Sequence, residues 1–169
     1  MRKEIEKLLQ SVQKPARYAG GELNSVMKDK SKVALRYAFC FPDTYEIGMS
    51  HLGMKILYGV ANAREDTWCE RVFAPADDME ALMRANGEPL FALESGDPIK
   101  DFDMIGFTMQ YELSYTNILN MLDLAGVPLR AEDRKSLTPI VAFGGPCACN
   151  PEPVAEFADI IFLGEGEET

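Results

Sequence analysis

Two apolar runs near the end of the chain, Ile140–Phe143 and Ile160–Leu163, show no polar alternation. That pattern predicts strands buried on both faces, as in a parallel sheet covered by helices. Each run meets glycine, Gly144-Gly145-Pro146 after the first and Gly164-Glu165-Gly166 after the second. Glycine at a strand end permits a sharp turn and a close approach of ligand. Open α/β sheets bind ligands beyond the carboxyl ends of their strands.

Upstream, the pattern alternates between two periods. Ile5, Leu8, Leu9 and Val12 fall at helical spacing and predict a helix over 2–13, ended by Pro15. A glycine loop, 18–24, and a polar connection, 28–32, follow. Residues 33–41 read as the first strand, and 42–50 as a long loop after it. Ser50 is a good N-cap for a helix over 51–63. That helix is apolar on several sides (Leu52, Met54, Ile56, Leu57, Val60), as suits one packed between a sheet and neighbours. Residues 67–73 predict a second strand, and Asp77 or Asp78 starts a helix that ends near Gly87. A short strand near an edge is predicted over 90–93, and a buried one over 104–109. Tyr115, Ile118, Leu119 and Leu122 mark a helix that stops at Gly126. Strands alternating with helices mean βαβ units and right-handed crossovers. The fold class is therefore α/β, a Rossmann-like or flavodoxin-like three-layer sandwich with a mostly parallel sheet, preceded by an N-terminal helix. Residues 1–31 form an extension and 32–169 the domain, expected to be cut short before a further domain.

The 169 residues suit one domain, and no apolar run approaches the length of a membrane span. The N-terminus is a charged helix and no secretory signal, so a cytoplasmic location is expected. The net charge of −10 is uneven. Residues 1–37 hold nine Lys and Arg against four Asp and Glu, net +5; the remainder holds eight against 23, net −15. The acidic body argues against general nucleic-acid binding. The basic segment can touch RNA or an acidic neighbour, or be a solvated helix face. Of four cysteines, only Cys147 and Cys149 are close, and Cys-Ala-Cys matches neither a zinc nor an iron–sulfur pattern. Cys40 reads as a core residue, and the thiols are expected to be reduced.

Four loops are expected at one edge of the sheet: 42–50, 108–112, 144–146 and 164–167. Their convergence is the candidate cleft; the plainer reading is a set of tight turns. The candidate cofactor-binding residues are Ser50, His51, Thr108, Gln110, Gly144, Gly145, Pro146, Gly164, Glu165 and Gly166. Ser50 and Thr108 offer hydroxyls, and the glycines offer backbone amides. His51, the single histidine, is a metal ligand, a general base or the first residue of a packed helix. Tyr45, Met109 and Tyr111 either line a flat ligand or close the edge of the core. Glu165, Glu167 and Glu168 suit a sugar hydroxyl, an ammonium or an Arg, or form a solvated linker. No dinucleotide fingerprint, P-loop or Gly-x-Ser-x-Gly occurs, and no catalytic residue or metal ligand is assigned.

Five stretches carry a resemblance: Lys14-Pro-Ala-Arg-Tyr-Ala-Gly-Gly-Glu-Leu-Asn-Ser-Val26, Phe41-Pro-Asp-Thr-Tyr-Glu-Ile-Gly-Met-Ser-His-Leu-Gly53, Gln110-Tyr-Glu-Leu-Ser-Tyr-Thr-Asn117, Gly144-Gly-Pro146 and Gly164-Glu-Gly-Glu-Glu168. Together they resemble the N-terminal region of cobalamin-type radical SAM proteins, a family often fused to a further domain of unknown role. The resemblance implies a Rossmann-like domain, similar to cobalamin-binding domains, ahead of a radical SAM barrel. The barrel would carry Cys-x-x-x-Cys-x-x-Cys, a [4Fe–4S] cluster and S-adenosylmethionine. That motif is absent here, so this chain alone is not expected to be active. The cobalt-ligating pattern Asp-x-His-x-x-Gly is also absent around His51, which leaves cobalamin as a candidate cofactor without a protein ligand. The expected partner is the barrel in the same polypeptide. Two functions follow: an accessory domain that shapes or completes the active-site cleft, or a non-catalytic interaction domain that recruits RNA or protein through the basic segment, with no cobalamin.

Overall fold

The computed structural model describes residues 2–166. Five strands form one parallel sheet: β1 (Leu35–Phe41), β2 (Thr67–Phe73), β3 (Met104–Thr108), β4 (Ile140–Gly144) and β5 (Ile160–Ile161), in the order β2-β1-β3-β4-β5. This is the flavodoxin-like order, and the predicted α/β class is what the chain adopts. The direction of travel reverses between β1 and β3, so the topological switch point lies there. Five α-helices surround the sheet: α1 (Lys3–Leu9), α2 (Tyr45–Ser50), α3 (Leu52–Ala63), α4 (Asp77–Asn86) and α5 (Tyr115–Ala125).

Strand alternation sorts the core into two layers. Ala38, Cys40, Ile105, Phe107, Val141 and Phe143 face α1, α4 and α5, where Ile5, Met79, Met83, Ile118 and Leu122 are buried. Phe39, Phe41, Cys69 and Phe73 face the other way, against Met54 and Tyr58 of α3. Helices α4 and α5 end where expected, because Gly87 and Gly126 take the left-handed conformation (φ 66° and 71°) that closes each C-terminus.

Several boundaries differ from the sequence reading. The first helix is shorter than 2–13. The loop over 42–50 contains α2, and His51, not Ser50, caps α3: its Nδ1 accepts the Met54 N–H at 3.2 Å. The strand over 90–93 is reduced to one bridge between Phe91 and Pro98. The run Ile160–Leu163 pairs only through Ile160 and Ile161. It lies at the edge of the sheet with Ile160, Phe162 and Leu163 exposed, so it is not buried on both faces.

The opposite edge is sealed by charge. In β2, Glu70 and Arg71 are buried, on opposite faces. The Glu94 carboxylate accepts the Arg71 backbone N–H at 2.7 Å, Leu93 N–H donates to the Arg71 carbonyl at 2.8 Å, and Ser95 N–H donates to Glu70 at 2.9 Å. Leu93 and Glu94 thus satisfy Arg71 on the free edge of β2, and the Asn62 side chain satisfies Cys69, on an edge that would otherwise template pairing with another chain.

Candidate functional site

All strands being parallel, the loops after β1, β3, β4 and β5 leave the sheet at the same edge, and the expected convergence follows from the topology. The contacts divide the ten candidate residues into three groups.

The first group is a tight clip between the ends of β3 and β4. Met109 N–H donates to the Gly144 carbonyl at 2.7 Å, and Cys147 N–H donates to the Met109 carbonyl at 3.0 Å. The chain reverses around the Met109 peptide only because Gly145 takes φ 98°. A Cβ on Gly145 would stand 3.0 Å from Met109 N and O and 3.1 Å from Thr108 Oγ1. The close approach that this glycine allows is therefore to the protein's own backbone. Gln110 Nε2 donates to Thr108 Oγ1 beside it. Gly144 and Pro146 remain at the surface. Met109 is fully buried and belongs to the core.

The second group is Ser50 and His51, at the junction of α2 and α3. Ser50 Oγ donates to the Ile47 carbonyl at 2.7 Å, and the His51 ring packs on Phe41 with centroids 5.2 Å apart. The third group, Gly164, Glu165 and Gly166, follows β5. Gly164 takes φ 116° with open space around it, and a Cβ on Gly166 would meet Leu57 of α3 at 3.1 Å. Glu167 and Glu168 lie outside the described residues.

At the switch point itself, two contacts tie the loops together. Tyr111 Oη donates to Asp43, and Asn117 Nδ2 donates to the Pro42 carbonyl at 2.9 Å. The hydrogen bond to Asp43 and partial burial raise the Tyr111 phenol above its ordinary pKa. Tyr45 packs edge-on against Phe73 and donates to Glu22 at 3.1 Å, which fixes it to the N-terminal loop.

Sequence reasoning missed two features. A polar hollow of about 440 Å³ opens beside the ends of β1 and β2, lined by Asp43, Asp77, Asp78, Glu80, Asn117 and Arg17 among others. Asp77 and Asp78 were legible only as helix-start residues. Asp78 accepts Gln13 N–H at 2.8 Å, which lowers its carboxyl below the usual range. The second is Arg71, whose guanidinium binds Glu94 at 2.6 Å, Ser25 at 2.9 Å and Glu22 at 3.3 Å and sits over the Tyr58 ring at 4.6 Å. It gathers the glycine loop, α3 and the 93–95 segment. The signal was a Glu-Arg pair inside an otherwise buried strand.

The basic N-terminal segment is largely paired with the body. Lys14 and Arg17 bind Glu46 at 3.3 and 2.8 Å, Lys30 binds Asp97 at 3.0 Å, and Arg2 binds Glu88 at 2.6 Å. Lys28 Nζ donates to the carbonyls of Asn62, Arg64 and Thr67. These charges clamp the extension to the domain, which weakens the case for an RNA-binding arm.

Residues 53–169 match the family model described as radical SAM proteins, N-terminal. The chain belongs to this family. An uncharacterized protein of Methanocaldococcus jannaschii is 37% identical over 81 residues, which are 46% of this chain and 16% of that protein. The match thus spans about a sixth of the relative. No solved structure matches. Among the described residues no three His, Cys, Asp or Glu side chains are grouped to hold a metal ion, and no helix is long and apolar enough to cross a membrane.

Proposed function

We propose that this domain is the accessory N-terminal part of a radical SAM enzyme and that the carboxyl edge of its sheet forms one wall of the active-site cleft. The observation that carries the reading is the strand order in a chain of this family. The switch point between β1 and β3 faces the same edge as the Gly-Gly-Pro clip and the Gly164 turn. The [4Fe–4S] cluster and S-adenosylmethionine that the family implies belong to a catalytic domain in the longer polypeptide. This domain supplies shape and polar contacts: Gln110, the surface of Gly144 and Pro146, and the latch of Tyr111 on Asp43.

Cobalamin is the finer part of the proposal, and the described residues do not complete a site for it. One imidazole nitrogen of His51 is engaged in capping α3, and the space beside Gly145 is filled by the Met109 peptide. The larger hollow is lined by four carboxylates, which repel the phosphate of a corrinoid nucleotide tail. A corrinoid wall would have to come from another part of the polypeptide, and no chemistry of this domain is assigned to a corrin. Titration of the 169-residue chain with hydroxocobalamin, followed by desalting, should leave no corrinoid absorbance. Retained absorbance that is lost on adding bulk at Pro146 would overturn that statement. The wall reading has its own test: Gln110→Trp in the longer, cluster-loaded polypeptide should slow consumption of S-adenosylmethionine or of its substrate, with cluster content unchanged.

A further inference from the structure

The single histidine is held in a way that fixes its chemistry. His51 joins α2 to α3: its backbone N–H donates to the Gly48 carbonyl at 3.1 Å and closes α2, and its side chain opens α3. The ring packs on Phe41 at the end of β1 and folds back over the first turn of α3. Gly53 leaves room for it there, since a Cβ on that residue would stand 3.0 Å from the ring Cε1 and 3.4 Å from Nδ1. The carboxylates nearest in sequence, Asp43 and Glu46, are taken by Tyr111 and by Arg17 and Lys14, and the first turn of α3 carries no acidic side chain.

The cap decides where the ring carries its proton. Nδ1 accepts the Met54 N–H at 3.2 Å. A backbone N–H can only donate, so Nδ1 must keep its lone pair. The imidazolium and the Nδ1–H tautomer both hold a proton at that nitrogen and would set it against the Met54 hydrogen. The form that fits is the neutral ring with its one proton on Nε2. A metal ligand or a general base needs an open lone pair, and the only one on this ring is spent on α3. Nε2 has no hydrogen-bond partner among the described residues and is not enclosed, the residue being half-buried.

We propose that His51 is a fixed hydrogen-bond donor of the cleft wall, offering Nε2–H to an oxygen acceptor (a carbonyl, carboxylate or phosphate oxygen) on the molecule bound in the cleft. The proposal rests on reading the carboxyl edge of the sheet as that wall. His51 belongs to this edge, because its ring stands over the last residue of β1. Its part is recognition of the bound molecule, with no proton transferred and no metal held.

Nitrogen NMR of the 169-residue chain in mildly alkaline buffer tests the ring state, and a single histidine makes the assignment unambiguous. Nε2 should resonate as an N–H nitrogen and Nδ1 as one with a lone pair, and added zinc sulfate should shift neither. Gly53→Ala, which pushes the ring off the turn, should return a mixture of tautomers. An Nδ1–H ring or a mixture in the wild type, or a zinc-dependent shift, overturns the proposal. The donor role is read in the longer, cluster-loaded polypeptide with His51→Asp. Aspartate caps a helix and accepts the Met54 N–H, but has no hydrogen to donate. The melting temperature should hold while S-adenosylmethionine consumption falls about tenfold; His51→Ala, which also loses the cap, should lower both. Unchanged consumption in His51→Asp, with Gln110→Trp slowed, overturns the donor role and leaves the wall standing. Unchanged consumption in both variants overturns the wall and the donor role together.

Discussion

Tyr111 donates its phenolic hydrogen to Asp43 and so latches the loop after β3 to the loop after β1, across the switch point of the sheet. The bond is at the surface, with Tyr111 38% exposed, so its net contribution to stability is small, about 1 kcal/mol. Tyr111→Phe should leave the melting temperature nearly unchanged and speed amide exchange at Asp43, Thr44 and 110–112. Unaltered exchange in both loops would show that Asn117 on Pro42 alone holds the latch.

Arg71 is the strongest single stability prediction. It is 2% exposed and its partner Glu94 is buried, so burial raises the Glu94 carboxyl while Arg71 pulls it back down. Arg71→Ala leaves that carboxylate without its cation, and breaking a buried pair this way costs about 3–5 kcal/mol. Urea unfolding of Arg71→Met, Glu94→Leu and the double variant Arg71→Met/Glu94→Leu should show the double variant to be the least damaged of the three. Additive losses would mean that the two residues are not coupled.

Gly145 should tolerate no side chain. Its φ of 98° disfavours any L-residue, and a Cβ would press on Met109 and Thr108. Gly145→Ala should cost roughly 1–3 kcal/mol, read as a lowered unfolding midpoint, whereas Gly144→Ala, whose Cβ would meet Phe162 at an ordinary 3.8 Å, should cost much less.

Glu46 contributes to the acid dependence of stability, beside Asp29, Asp66 and Asp78, whose carboxyls are also held below their ordinary range. Hydrogen bonds from Arg17, with help from its own backbone and Lys14, hold its carboxyl down from 4.5 to about 2. A depressed carboxyl stabilises the fold fully above its unfolded pKa, and the contribution is lost as pH falls through the folded one. Glu46→Gln should therefore melt below the wild type at neutral pH, and the gap should close between pH 4.5 and about 2. A gap independent of pH would contradict the ion pair with Arg17.

The sheet was legible because its strands carry short, mostly apolar runs bounded by turn residues. Only 140–143 is uninterrupted; 33–41 alternates partly before it becomes apolar, and 67–73 holds Glu70 and Arg71 and was readable as a strand all the same. The short strand at Leu90–Leu93 misled for the same reason: those residues are buried, but they close over β2 through side-chain carboxylates and a single backbone bond. α2 was hidden in a loop because Gly48 interrupts it; the position is small because Phe73 and Phe41 crowd it, with a Cβ meeting Phe73 at 2.3 Å. Leu52, Ile56 and Val60 of α3 read as packed and are exposed, because sequence shows that a face is apolar and not what it meets. Of the candidate site, Thr108, Gln110 and Gly144–Pro146 do come together, but the role of Gly145 depends on which backbone it faces. That is a matter of β3–β4 register, which no local pattern encodes.

The most direct test of the central claim is the rate at which the longer, cluster-loaded polypeptide consumes S-adenosylmethionine and substrate when bulk is placed at the carboxyl edge. Gln110→Trp should lower that rate about tenfold or more with iron content and melting temperature unchanged, and Leu137→Trp, in the connection entering the opposite end of β4, should not. Equal rates for the wild type and both variants would contradict the account and leave the domain without a part in the active site.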